Sequence, residues 1–437
     1  MKKKLTIIGV VCLVLLFQGL ALAAGGGPKI RVGLAVEQFS AQVQSKGKIK
    51  VIDGSGKTTV LSPGQHFVSV KNGSLYADDK KLSGGQLSLV ADNAKNPIYI
   101  NQKNYRGALT VLLNSGRKNL TVVNTLPVEQ YLYGVVSKEV IPLWPDEAIK
   151  AQAVAARSFA LYHLDKDQYP NFDIKATDMG QVYGGAAAEH ANTNKLVDAT
   201  EGMAATYKGD LIQAFFHSSS GGYTESAYNV WGKDIPYLQA VPDEDKDSPQ
   251  YTWTKSFTKV QLNRLLSQNG YNVGDLEGIR LSARAAAPMK WTPDRGTSGR
   301  VKRMTFIGKR GSVTIPGNKV RSMLGLSSTL FEIQIGPERP DKLEVPITNR
   351  YGYQIGEKTI PIREKDQGGT AVGDLRLFSD VPGEKVTFTG GGWGHGVGLS
   401  QWGARGMALS REARGKKDYY KTILAHYYPG IRVEKEY

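Results

Sequence analysis

The stretch VVSKEVIPLWPDEAIKAQAVAARSFAL, residues 135–161, sets one carboxylate, Glu139, just before an alanine-rich segment that carries Lys150 and Arg157. At 3.6 residues per turn Lys150 and Arg157 lie two turns apart on one helix face, with Ala153 and Val154 between them. Ala148, Ala151, Ala153, Ala155, Ala156 and Ala160 make this helix thin, so that other elements, or a polymer, can approach it closely. The turn containing Pro142, Trp144 and Pro145 can fold Glu139 back over that face. Two readings follow. Either a carboxyl is held near two fixed cations at the floor of a groove, or this is an ordinary salt-bridged helix with an exposed acid.

A second concentration of chemistry is GGGWGHGVGLSQWGARG, residues 390–406. It follows a strand pattern and enters a helix pattern. Its glycines 394, 396 and 398 nevertheless space as GxGxG, which lacks the third glycine of the dinucleotide fingerprint. Trp393 and Trp402 offer faces for sugar stacking, His395 is the only ionisable side chain from Gly390 to Gln401, and Gln401 closes the loop. The alternative for His395 is a buried, hydrogen-bonded histidine in a tight structural turn. FHSSSGGYTE places His217 before three serines, but no GxSxG elbow is present and sequence neighbours do not make a triad. Hydroxyls and a histidine lining a polar groove fit better. Tyr183, flanked by glycine in GQVYGG, either presents its ring to a sugar or is packed. No HExxH motif and no His/Cys cluster is visible, so no metal and no cofactor is expected.

The chain that positions these groups has 437 residues. Lys2, Lys3 and Lys4, an apolar run from Leu5 to Ala23 and small residues at its end read as a secretory signal over residues 1–23. Left uncut, the run is long enough to be a membrane anchor. Either way the body is expected outside the cytoplasm, secreted or associated with the cell envelope. The only cysteine, Cys12, falls inside that run, so the rest of the chain has no disulfide and no thiolate. The net charge of +16 points to an acidic partner, the alternative being a merely soluble basic surface. For an exported protein that partner is an anionic wall polymer or membrane surface and not nucleic acid.

The expected class is α+β. Residues 28–124 read as a β-rich N-terminal part, with Gly, Asn, Asp and Ser punctuating short Val/Ile/Leu/Thr runs. A hairpin loop is expected at Asn114 to Lys118. Residues 125–250 read as a helical core carrying a groove, with one helix starting near Pro127 and a longer one from Pro145 to about His163. Asp146 and Glu147 in its first turn complement the helix dipole. A third helix stops at Gly202, and a hairpin turns at Lys208–Gly209–Asp210. Residues 251–336 read as a smaller mixed α/β insertion with a helix near Lys259–Gln268. Residues 337–382 are a polar, turn-rich insertion or flap, and 383–437 a strand, the glycine loop and helices that complete the core.

Three blocks together resemble one family. LPVEQYLYGVVSKEVIPLWPDEAIKAQAVAARSFAL, FHSSSGGYTE and GGGWGHGVGLSQWGARGMA look like the signature blocks of the stage II sporulation protein D / amidase-enhancer (SpoIID/LytB) family. SGRVKRMTFIG and ILAHYYPGI resemble further landmarks of that family, in the same order. The resemblance covers most of the chain from about Lys29. It implies peptidoglycan glycan strands as ligand. Sporulation members are lytic transglycosylases, which cut the MurNAc–GlcNAc bond without water and leave 1,6-anhydroMurNAc. The other branch enhances a cell-wall amidase, an N-acetylmuramoyl-L-alanine amidase, and can do so without cutting. The resemblance implies Glu139 as the single general acid/base and Lys150 and Arg157 as basic groove residues. Tyr183, His217, His395 and Gln401 complete the substrate-binding candidates. Some relatives carry zinc-binding cysteines around the block in which this chain has Ser218, Ser219 and Ser220, so a metal is not expected here.

Overall fold

The computed structural model describes residues 27–164, 166, 168–177, 181–337, 342–348, 354–361, 371–379, 381 and 383–437. The leader or anchor expected at residues 1–23 lies outside them, as does part of the 337–382 stretch. The chain is α+β.

Two sheets built largely from the N-terminal hundred residues face each other. One has seven strands in the order 174–175, 29–38, 120–127, 108–113, 86–91, 49–53 and 58–61. The other has six, in the order 103–104, 99–100, 40–45, 64–71, 74–77 and 80–81. Burial alternates along their strands, as a half-buried strand demands. Ile49, Val51, Leu87, Leu89, Val111 and Val122 of one sheet share a core with Val43, Val68, Leu75 and Ile100 of the other. The expected hairpin is present: strands 108–113 and 120–127 pair from Ala108↔Thr125 to Leu113↔Leu120, with the loop at 114–119.

Strand 120–127 leads directly into helix α1 (Val128–Glu139), with Pro127 preceding its first residue and fixing the entry backbone. Helix α2 (Asp146–Leu164) is the central element. Of its 19 residues 14 are buried, so the alanines admit other elements of the same chain on both sides. Ile149, Ala153, Ala156 and Ala160 pack with α1 residues such as Leu132, Val135 and Val136. Ala148, Ala151, Val154 and Ala155 pack with the C-terminal residues Leu399, Ala404, Ile423, Leu424 and Tyr427. Helix α3 (Ala191–Asp198) is capped by His190, whose Nδ1 accepts from the Asn192 N–H. The strand at 203–207 turns as expected at 208–209 into 210–211. The final strand, 432–435, pairs with 203–207.

After helix α4 (Ala227–Trp231), a second β assembly begins. Strands 253–258 and 331–337 flank strand 384–390. A five-stranded sheet (311–316, 303–308, 276–280, 375–377, 371–372) shares their core with α5 (Lys259–Gln268) and α6 (Gly317–Leu324). Helix α5 starts on a capping box: Thr258 Oγ1 accepts from the Gln261 N–H while Gln261 returns an acceptor to the Thr258 N–H. Within 337–382, read from sequence as polar and turn-rich, the described residues include a paired hairpin of strands 342–348 and 354–361. Strand 384–390 delivers the chain to the glycine loop, followed by α7 (Gln401–Leu409) and α8 (Tyr419–Tyr427).

The expected role of Arg157 is not met by its position. Its side chain is 0% exposed. Nε and Nη2 donate to the two Glu129 carboxylate oxygens at 2.8 and 2.7 Å, and further bonds run to the Val197 and Met203 carbonyls. Glu129 also accepts from the Gly202 N–H and the Tyr437 hydroxyl. A guanidinium so saturated joins α1, α2, α3 and the C-terminus and cannot reach a ligand. Lys150, on the same helix, donates to Glu147 at 2.7 Å at a half-buried position. Glu147 in turn accepts from the Tyr420 N–H at the start of α8. Removing one partner of a buried pair strands the other charge. Arg157→Ala is expected to lower unfolding free energy by about 3–5 kcal/mol, whereas Lys150→Ala costs about 1 kcal/mol or less. Urea unfolding monitored by circular dichroism measures both, and a neutral Arg157→Ala would refute the structural role.

Candidate functional site

Glu139 is the last residue of α1. The helix stops because Val140 is extended and the turn from 140 to 145 holds two prolines. Its half-buried carboxylate is held by neutral donors from two distant segments. Oε1 accepts from the Val182 N–H at 3.0 Å, and Oε2 accepts from Gln401 Nε2 at 3.1 Å. Glu139 and Gln401 are thus brought together across 262 positions of sequence. Tyr131, two turns earlier on α1, donates to Gln181 Oε1. Burial, the nearby Tyr183 and the Glu139 charge hold its phenol well above the usual tyrosine range.

The turn after Glu139 faces both inward and outward. Trp144 packs edge-on against Trp402 of α7, ring centroids 4.9 Å apart. Asn192 of α3 donates to the Pro142 carbonyl. Ile141 and Leu143 project outward, 50% and 84% exposed. The carboxylate therefore sits beside an apolar lip.

Gln401 is placed by the joining of the two loops singled out from sequence. Phe216 and His217 pair in parallel with Leu399 and Ser400. The Trp402 N–H donates to the Ser218 carbonyl, and the Trp393 N–H to the Ser219 carbonyl. Ser400 caps α7 by accepting from the Gly403 N–H. Beneath these loops lies Arg300, whose Nη2 donates to the Ser220 carbonyl at 2.8 Å and Nη1 to the Gly394 carbonyl at 3.2 Å. Gly396 has φ of +83°, and a Cβ there would meet the Arg300 guanidinium, so only glycine fits. Glu225, fully buried, accepts from the backbone N–H groups of Ser226 and Ser298 and from the Ser298 hydroxyl. Asp245 accepts from the Gly221 and Gly222 N–H groups. Burial and the neighbouring Asp243 carboxylate push Asp245 up to about 6.

The histidines belong to this loop junction. His217 is buried, its Nδ1 bonded to the Val397 carbonyl and its Nε2 without a protein partner. His395 Nδ1 accepts from the Val397 N–H, and the two imidazoles lie 5.5 Å apart. Burial, with Arg300 and Arg321, pushes His395 down to about 3. Burial, His395 and Arg300 hold His217 well below the usual histidine range. Both are neutral at physiological pH. Tyr183 resolves to the packed alternative. Its ring lies between Tyr131 and Tyr105 and against Gly134, and its hydroxyl donates to Asn124.

Of the sequence candidates, then, Glu139 meets Gln401 and His217 meets His395, while Lys150, Arg157 and Tyr183 are engaged elsewhere. Sequence reasoning did not single out Arg300, Glu225, Asp245 or the Val182 N–H. Arg300 lies in SGRVKR, a stretch noted only as a landmark, and a backbone donor leaves no residue-type signal. Among the described residues no cluster of three or more His, Cys, Asp and Glu could hold a metal.

The histidines generate a pH prediction. A histidine whose folded pKa lies below its unfolded value of about 6.5 adds stability that is complete above 6.5. That stability is lost as pH falls from 6.5 toward the folded value near 3. His395→Gln is therefore expected to flatten the fall in melting temperature between pH 6.5 and 4 relative to the unaltered chain. Parallel curves would refute the assignment.

A model of stage II sporulation protein, SpoIID, matches residues 116–207, which span α1, Glu139, α2 and α3. An uncharacterized protein of Brachyspira hyodysenteriae is 32% identical over 326 residues, covering 73% of this chain and 71% of that protein. The amidase enhancer of Bacillus subtilis is 30% identical over 84% of this chain, which spans 49% of that longer protein. Stage II sporulation protein D of Bacillus subtilis is 28% identical over 86% of this chain and 91% of its own length. With the two glycine- and serine-rich loops joined on α7 and Glu139 held at their edge, this chain belongs to the stage II sporulation protein D family.

Proposed function

We propose that the protein is a lytic transglycosylase of the cell envelope, acting outside the cytoplasm on peptidoglycan glycan strands with Glu139 as its single acid/base. The observation that carries this is the carboxylate itself. It is half-buried at the end of a helix, oriented by two neutral donors and bordered by an apolar lip. These two amide donors fix the direction of the carboxyl.

Hydrolytic glycosidases ordinarily use two carboxylates across the bond. One is enough when the nucleophile is carried by the sugar. The protonated Glu139 donates to the glycosidic oxygen as the MurNAc C1–O bond breaks, releasing the GlcNAc 4-hydroxyl. The carboxylate then takes the proton of the MurNAc C6 hydroxyl as that oxygen bonds to C1. The 1,6-anhydro ring closes, Glu139 regains its proton and no water is consumed. Gln401 acts as a positioning residue that holds Oε2.

A second reading rests on the likeness to the protein named amidase enhancer. In it the chain binds wall and stimulates an amidase, with exposed Ile141 and Leu143 as the contact. One experiment separates the two. Purified glycan strands, with and without stem peptides, are incubated with residues 27–437 and the products read by mass spectrometry. Anhydro-ended products that fall at least about a hundred-fold in Glu139→Gln are expected. Their absence from every strand, with wall binding intact, would overturn the enzymatic reading in favour of the amidase one. Gln401→Ala is expected to lower kcat by about ten- to a hundred-fold at little-changed KM, through loss of carboxylate orientation. An unchanged kcat would remove Gln401 from the site.

A further inference from the structure

Charge is distributed unevenly along the chain. Residues 27–124 carry 14 Lys and Arg against 5 Asp and Glu, a net +9, whereas residues 125–437 carry 39 against 35, a net +4. The excess thus sits mostly in the N-terminal two-sheet part.

Hydrogen bonds between loops gather part of this charge at one end of the sheets. The Gly54 N–H donates to the Ser83 carbonyl, joining the 54–57 turn to the 83–85 loop. The Leu113 N–H donates to the Gly85 carbonyl, joining that loop to the 114–119 hairpin. Arg117 Nε donates to the Gly73 carbonyl, joining that hairpin to the 72–73 turn. Lys57, Lys71, Lys81, Arg117 and Lys118, all exposed, lie on these connected loops or the strand ends beside them. Three acids accompany them. Asp53 is spent between its own turn and the 83–85 loop, accepting from Ser55, the Lys57 N–H and the Ser83 N–H, which hold it at about 2. Asp79 is fully exposed and pairs with Lys71, and the neighbouring Asp78 bonds to His66 and accepts from the Phe67 N–H. The half-exposed Tyr76 lies opposite Lys81 across the strands, with the Lys71 ammonium 5.5 Å from its ring centroid.

We propose that this end of the N-terminal sheets is a docking surface for a linear anionic wall polymer whose repeating unit is a phosphodiester of a polyol. Several exposed cations on adjoining loops suit a chain of regularly spaced charges that wraps over them. An isolated anion would use only one or two of them. Binding of this kind releases counterions and weakens steeply with salt. The tyrosine ring offers an apolar face to the polyol between phosphates. The surface would hold the protein in the wall while Glu139 works on glycan, so the inference rests on the extracytoplasmic reading above.

Residues 27–437 are tested on Gram-positive wall fragments that carry phosphate polymer, on the same fragments stripped of it by hydrofluoric acid, and on phosphatidylglycerol vesicles. Lys81→Gln/Arg117→Gln/Lys118→Gln is compared with Lys46→Gln/Lys48→Gln/Lys50→Gln, which removes the same charge from other exposed positions of the same sheets. The first variant is expected to lose at least ten-fold in affinity for polymer-bearing walls. Its plot of log affinity against log salt becomes shallower by about two, for three lost phosphate contacts. The second variant stays within about three-fold. Both should cut soluble peptide-free strands as the unaltered chain does. Equal losses in the two variants, unchanged binding by the first, equal binding to stripped walls, or binding to vesicles and not to walls would each overturn the proposal. Absence of strand cutting with this charge-dependent wall binding intact would overturn the enzymatic reading and leave the docking surface standing.

Discussion

The buried pair of Arg157 and Glu129 fixes how the central part of the chain is assembled. Both charges are withdrawn from water, a cost that is recovered only when every donor and acceptor is satisfied. Here they are satisfied by five separate segments: α1, α2, the carbonyl at the end of α3, the start of the strand at 203, and Tyr437 at the C-terminus. Alternative packings of α2 would leave a guanidinium bare in the core. The pair therefore acts as a registration point, and the alanines of α2 allow the other elements to come close enough to complete it.

Glu129 opens α1 and Glu139 closes it, about 15 Å apart along one rigid helix. Anchoring the first carboxylate thereby sets the place of the second. The two do opposite things with the same functional group. Glu129 is enclosed and matched to a cation. Glu139 is half-buried at the end of the helix and oriented by amide groups from two distant segments. On the other side of the site, Arg300 performs a related task for the loops. It ties the Ser220 and Gly394 carbonyls together and so delivers Gln401 to the edge of Glu139. The same guanidinium helps to keep the adjacent histidines neutral. Their place is in the architecture of the loop junction.

Much of the fold was legible. Helices α1, α2 and α5 and the hairpins at 108–127 and 203–211 carry their own signals in capping residues, prolines, glycine turns and apolar runs. The hairpin at 342–361 was not read, because its polar strands and bordering turn residues give the pattern of a loop. Of the site, Glu139 was visible as an isolated acid before a smooth helix, and the glycine loop as a place where backbone comes close to something. Arg157 misled for a definable reason. Helical periodicity reports which residues share a face, but says nothing about whether that face meets solvent or another helix.

By itself the sequence determined the local elements, the basic charge and the family. These depend on residue type and short-range spacing. Only the tertiary structure decided that Arg157 and Tyr183 are internal, that Lys150 is spent on Glu147, and that Gln401 reaches Glu139 over 262 positions. It also gathered five cations from separate turns onto one end of the N-terminal sheets. Burial and long-range pairing are set by how whole faces fit together. That fit is a property of the assembled chain, which no window of the sequence contains.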